Sequence, residues 1–201
     1  MELWGTMLVD VQQLVARIAA GDDEALRELY GLYRPRLRRY LWHQLDGDLQ
    51  AVEEALQDVF LAVWRTAGAY RGDARVATWI YQIAHYHVLH AHRSRHLRDE
   101  LFPVDAPYGS DDGNAPSERL SIASHEDAVL DRLALADAFR QLSVKHRAVL
   151  DLVFQHGFSL DETAQILDVP LGTVKSRISY ARRSLQRALS APTTERAPRH
   201  G

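Results

Sequence analysis

Two short apolar series at helical spacing, parted by a proline turn, limit what this chain can become more than any other feature of it. The stretch GFSLDETAQILDVPLGTVKSRISYARRSL covers residues 157–185. Ser159 followed three residues later by Glu162 forms a capping box and starts a helix. Leu160, Ala164 and Leu167 then share its inner face. Pro170 disfavours helix in the residue before it, so Asp168-Val169-Pro170 is a turn. A second helix starts near Leu171, with Val174, Ile178, Ala181, Leu185 and Ala188 spaced by four, three, four and three. Two short helices across a tight turn make a helix-turn-helix.

The second helix also shows its outward face. With Val174 buried, Ser176, Ser179 and Arg183 lie opposite. Lys175 and Arg182 lie on one flank with Gln186, and Thr173 and Arg177 on the other, nearer the core. Gly172 leaves the helix start bare, so backbone amides there can approach a phosphate. From Val169 to Ala191 there are five cations and no acid. A merely solvated helix mixes both signs, whereas this one suits a groove walled by phosphates.

The remainder reads as helix as well. Asp10 caps a helix with Val11, Leu14, Val15 and Ile18 on one face, ended by Gly21. Asp22 or Asp23 opens a second, with Leu26, Tyr30, Tyr33, Leu37 and Tyr40 inward and Pro35 a possible kink. A third runs from about Leu49 to Thr66 and a fourth from about Thr78 to Arg95. No strand-like alternation and no internal repeat appear. The fold class expected is all-α: an N-terminal helical bundle (1–98), a flexible acidic linker (99–122), a helix-turn-helix domain (123–190) and a frayed tail (191–201). The linker contains three prolines and two glycines within FPVDAPYGSDDGNAPSE. Nine acids and one base, Arg119, lie between Asp99 and Asp131. Two basic blocks flanking an acidic strip suggest an anionic partner met at two places.

Bulk composition excludes several classes. There is no cysteine, which rules out a disulfide scaffold and suits a reducing cytosol. No apolar run approaches the roughly 20 residues of a membrane span, and MELWGTMLVD lacks the basic start and apolar segment of an export signal. No membrane insertion is expected.

Two features of the N-terminal part carry chemistry. In VEEALQDVFLAVW, Val52, Ala55, Leu56, Val59, Phe60 and Val63 form an apolar stripe. Leu61 projects on the far side among Glu54, Gln57 and Asp58. Such a leucine is either an incidental exposed residue or the anchor of a small docking patch for a basic helix. In TWIYQIAHYHVLHAHRSR, Val76, Ile80, Ile83, Ala84 and Ala91 face inward, with Trp79 at the border. Gln82, Tyr86 and Arg93 cluster outside, with Tyr81 and His85 nearby. Arginines interleaved with aromatics can hold a single strand, the cations on phosphate and the rings on bases. The polar loop YRGDARVAT precedes them and can receive a flipped base.

Histidines stand at 85, 87, 90, 92 and 96. His92 and His96 have a usable metal spacing and His85 shares their face. No Cys, Asp or Glu joins them within the helix, so no metal or other cofactor is expected. His87 points to the core. Protonation of the outer histidines would add positive charge beside nucleic acid at mildly acidic pH.

With these residues in view, the chain resembles the extracytoplasmic-function (ECF) sigma factors, the small two-domain class of bacterial RNA polymerase sigma subunit. VEEALQDVFLAVW is similar to that family's second region, GDARVATWIYQIAHYHVLHAHRSR to its promoter-melting segment, and LSVKHRAVLDLVFQHGFSLDETAQILDVPLGTVKSRISYARRSL to its fourth region. The resemblance implies a non-catalytic subunit that binds core RNA polymerase and directs promoter-specific initiation. It implies docking of Glu53, Glu54, Gln57, Asp58 and Leu61 on the clamp helices of the largest polymerase subunit. It implies capture of the melted −10 element by Tyr70, Arg71, Asp73, Arg75, Gln82, His85, Tyr86 and Arg93. The −35 element would be read by Gly172, Thr173, Lys175, Ser176, Arg177, Ser179, Arg182 and Arg183. The linker would thread toward the polymerase active-site channel. Family members often carry Arg-Asn and a later Asp where His85, Tyr86 and His90 stand here. The implied partners are core RNA polymerase and promoter DNA, with an anti-sigma factor as a further candidate; the free chain is expected to be a cytoplasmic monomer. A different reading, a stand-alone helix-turn-helix regulator of response-regulator type, would need a receiver domain with strands and a phosphoacceptor aspartate, and neither is visible.

Overall fold

The structure, a computed structural model, describes residues 10–101, 138–139 and 141–190, without the side chains of 96–101 and 188–190. The described residues form seven α-helices and no strand. The expected linker beyond Leu101 and the expected tail lie outside them.

Local sequence accounts for each helix start. Asp10 accepts from the amides of Gln12 (3.0 Å) and Gln13 (3.3 Å) and opens α1, Val11–Ala19. Asp22, rather than Asp23, caps α2, Asp23–Gln44, accepting from Glu24 and Ala25. Pro35 lies inside α2 on its exposed side, and the helix continues through it. Asp48 caps α3, Leu49–Thr66. The turn before α3 places Asp46 and Gly47 at φ 58° and 78°. A Cβ on Gly47 would also sit 3.1 Å from the Trp42 ring, so only glycine suits this position. The fourth helix, α4, runs Val76–Leu101 and passes the expected boundaries at both ends.

Buried Leu14, Val15 and Ile18 of α1, Leu29, Leu37 and Leu41 of α2, Val52, Leu56, Val59 and Val63 of α3, and Ile80, Ala84 and Val88 of α4 make the N-terminal core. Each fully buried aliphatic of this kind contributes about 2 kcal/mol. Tyr30, expected to point inward, is instead 38% exposed and lies at the rim, its ring 4.7 Å from that of Phe60. Among the described residues no helix is long and apolar enough to cross a membrane.

In the C-terminal part, α5 is Val144–Leu150, followed by a wide π-type turn at Asp151–Gln155. Then come α6, Leu160–Leu167, and α7, Leu171–Ser190. The expected capping box is present: Glu162 N donates to Ser159 Oγ at 3.1 Å and Ser159 N donates to Glu162 Oε2 at 2.9 Å. Asp168 closes α6 in the left-handed region at φ 50°, which aspartate tolerates better than most residues. The turn therefore sits where Pro170 predicts it.

The two parts are not held apart. Leu152, Phe158, Ile166 and Val174 join the same continuous apolar cluster as the N-terminal core. Helix α6 lies on α4, and α5 touches α2.

Candidate nucleic-acid and polymerase interfaces

Helix α7 presents the face read from its periodicity. Val174 and Ala181 are fully buried, while Gly172, Lys175, Ser176, Ser179, Arg182 and Arg183 are exposed. Thr173 and Arg177 are half-buried on the flank. Ser176 Oγ donates to the Thr173 carbonyl at 3.0 Å, and Arg183 Nε to that of Ser179 at 3.3 Å. These bonds lie along the helix, and among the described residues no carboxylate pairs with Lys175, Arg177, Arg182 or Arg183. Sequence periodicity did not single out two aromatic neighbours. Tyr180, half-exposed, stacks on His146 at 4.5 Å, and exposed Phe154 lies under the Arg182 guanidinium at 5.9 Å. Tyr180 lies on α7 itself, but its partner His146 belongs to α5 and Phe154 to the turn after it, contacts that no single-helix projection predicts.

The loop before α4 is shaped by Tyr70. Its hydroxyl donates to the Ala74 carbonyl at 2.6 Å and its ring lies 5.0 Å from Trp79. Gly72 turns the loop at φ 78°, leaving Arg71, Asp73 and Arg75 exposed. On α4, Tyr86 is 65% exposed and Arg93 is exposed.

Other members of the expected −10 set lie elsewhere. His85 is buried, as is Tyr81, expected near the outer face without belonging to that set. The Tyr40 hydroxyl and His85 Nδ1 share a hydrogen bond of 2.9 Å, and burial, with Arg177 nearby, pulls the imidazole down to about 4. His85 is therefore neutral at pH 6 and neither faces solvent nor adds positive charge there. Gln82 Nε2 donates to the Gln165 carbonyl of α6 at 3.0 Å, and Arg75 pairs with Glu162 at 2.9 Å. Burial would raise the Glu162 carboxyl, but bonds from Ser159 and the Arg75 charge bring it below its usual range.

Two further histidines of α4, His92 and His87, face protein groups. His92 Nε2 donates to the Gln44 carbonyl at 2.8 Å. His87, expected in the core, lies half-buried with Nδ1 3.7 Å from Asp58. Burial lowers its pKa, with His90 adding to the effect and Asp58 opposing it. The His96 side chain is outside the described residues.

On α3, Glu54, Gln57 and Asp58 are exposed around Leu61, which is 50% exposed. Glu53 is half-buried and accepts from Arg38 Nε at 2.9 Å. Beside this face, between α3 and α4, runs a groove of about 340 Å³ lined by Asp48, Glu54, Asp58, His87, His90 and Arg95. Asp48 in this lining is paired with Arg95 at 3.0 Å, while Glu54 and Asp58 are exposed.

Against known families, residues 29–98 match sigma-70 region 2 and residues 138–187 match sigma-70 region 4. The ECF RNA polymerase sigma factor SigL of Mycobacterium tuberculosis is 34% identical over 176 residues, covering 87% of this chain and 94% of SigL. The chain belongs to the ECF sigma factors. SigW of Bacillus subtilis is 25% identical over 185 residues, covering 89% of this chain and 96% of SigW. The fold is shared with two solved structures. One is CnrH in complex with the cytosolic domain of CnrY (TM-score 0.64, 20% identity, 92% of this chain and 100% of that one). The other is RpoE of Bartonella quintana with the anti-sigma factor NepR (TM-score 0.61, 23% identity, 83% and 97%). Region 2 thus carries α4 and the acidic α3 face, and region 4 carries α7.

Proposed function

We propose that this sigma factor joins core RNA polymerase through α3 and directs it to promoters by reading two separated elements. Glu53, Glu54, Gln57, Asp58 and Leu61 dock on a basic helical surface of the polymerase. The loop 70–75 with Gln82, Tyr86 and Arg93 takes the melted −10 strand. Helix α7 reads the −35 duplex through Lys175, Ser176, Ser179, Arg182 and Arg183, with Gly172, Thr173 and Arg177 at the phosphate edge. The domains behind these roles are 1–98 and 123–190, with 99–122 as tether and 191–201 as tail.

The observation that carries this reading is the exposed, acid-free face of α7 in a chain that also bears the acid-ringed Leu61 on a different module. A subunit that only positions other groups needs no nucleophile, and the chain is accordingly not an enzyme. It works in the cytoplasm, where polymerase and promoter are, and an anti-sigma factor is a natural inhibitor of it. The test is run-off transcription with purified bacterial core polymerase, with start sites mapped after overexpression. Start sites sharing two spaced motifs support the reading. Duplex binding without polymerase, and no directed initiation with it, would favour a stand-alone regulator.

A further inference from the structure

Tyr180 of α7 has no part in the −35 set, yet it stands among its members. It lies four residues after Ser176 and three before Arg183, so on the helix surface it is a neighbour of both. At about 100° per residue it falls between Ser176 and Thr173, on the side turned away from Val174. It is 50% exposed. An exposed tyrosine ordinarily turns freely and must be ordered when a ligand arrives. This one is already held. Its ring stacks on His146 of α5, the centroids 4.5 Å apart and the planes 21° from parallel. The His146 ring is fixed in turn, because Nδ1 shares a hydrogen bond of 2.8 Å with Ser143 Oγ.

The surroundings of this stack are cationic. Lys145 is exposed, and with Arg177 it lies close enough to His146 to oppose its protonation. Burial is the larger influence, and together they hold the imidazole below its ordinary value, so at pH 7.5 Tyr180 rests on a neutral ring. Ser176, Arg183 and Arg187 bond back to carbonyls of their own helix, and the Tyr180 hydroxyl takes no part in these bonds. A phenol can do what lysine and arginine cannot, since it both donates and accepts. In a major groove it can bond a purine N7 or a base amino group, whereas a cation reads acceptors only. Were the pair only a packing contact, little of the ring would remain in solvent, and half of the residue does.

We propose that Tyr180 is a base-reading residue of the −35 surface, its hydroxyl directed at one base pair, and that His146 is the positioning residue that holds it there. The inference rests on the −35 assignment of α7. It makes the reader a two-helix device, in which α7 carries the contact and α5 fixes the ring before DNA arrives. Discrimination is then gained without the cost of ordering the side chain on the promoter.

The test uses holoenzyme, the full chain on core polymerase. The probe is the strongest promoter from the start-site mapping, with six base pairs about position −35 randomised. Duplexes that stay bound through a heparin challenge are sequenced. Tyr180→Phe keeps the ring and its stack and removes only the hydroxyl, at a half-exposed position. It should lower the preference for the favoured base about tenfold at one position and leave the other five as in the parent. His146→Ala should relax that same position, and His146→Phe, which restores a ring to stack on, should bring the preference back. If His146→Ala fails to form holoenzyme, His146→Gln, which loses the ring alone, takes its place. A motif unchanged in Tyr180→Phe, or a uniform loss over all six positions, would overturn the reading role. Unchanged preference in the ringless His146 variant would overturn the positioning role. A parent holoenzyme that selects no bases near −35 would instead count against the −35 assignment of α7.

Discussion

His85 takes up its proton far below neutrality, and that has a consequence for stability. In the unfolded chain an imidazole titrates near 6.5; in the folded one, burial beside Tyr40 and near Arg177 moves it to about 4. Between these values the unfolded chain binds more protons, so stability is whole above pH 6.5 and is lost as pH falls toward 4. The loss from His85 alone should reach about 2 kcal/mol at pH 5. His156, lowered mainly by burial, acts in the same direction. Urea midpoints at pH 7.5 and pH 5 check this, and His85→Gln should remove most of the slope. A slope unchanged by that substitution would show that the imidazole is not the source. The same residue marks a limit of sequence reading. Projection on a single helix put His85 outside because it lies off the apolar stripe of α4. Only the structure shows that Tyr40 of α2 reaches round to it. On α7 projection succeeded, because one face is apolar and the other carries only polar and basic groups. There, Lys175→Ala and Arg183→Ala should each weaken −35 binding and lower the salt slope by about one, while polymerase binding stays intact. Loss of polymerase binding in a co-migration assay would refute the division of roles.

At the level of the helix, the starts were legible and the partners were not. Asp10, Asp48 and Ser159 each accept from the amides they were read or found to cap, because a short side-chain oxygen next to free N–H groups is a local matter. Ser159→Ala should therefore cost region 4 about 1 kcal/mol, seen as a lower thermal midpoint. An unchanged midpoint would mean that Glu162 alone holds this helix start. The α3 face poses the harder question. Leu61 is 50% exposed among acids, the geometry of an anchor awaiting a groove as well as of an idle residue. Leu61→Asp should weaken polymerase association by about 1–3 kcal/mol if the side chain is buried on docking. Surface plasmon resonance with core polymerase decides it, and wild-type affinity would show that the leucine is incidental.

For the whole molecule, the all-helical class could be read from periodicity and the two sigma modules from the resemblance their motifs carry, and their packing together could not. Apolar stripes say that a face is covered without saying by what. Leu152, Phe158, Ile166 and Val174 satisfy a region 4 core and also extend the region 2 core. The contacts that fix the choice, Asp151 with Gln44 and Arg75 with Glu162, join residues more than eighty positions apart, beyond the reach of any local pattern. A shared core has a thermodynamic signature. When two modules bury apolar surface and a carboxylate against each other, each stabilises the other, and they unfold together. Urea unfolding of the free chain, followed by tryptophan fluorescence for region 2, which holds Trp42, Trp64 and Trp79, and by far-ultraviolet dichroism for all helices, should give coincident transitions. Asp151→Ala removes the buried carboxyl group along with its bonds to His43 and Gln44. It should separate the curves, with a helical transition at lower urea preceding the tryptophan transition. Coincident curves in that variant would mean that the apolar contact alone couples the modules, and separate curves in the parent would mean that they fold independently.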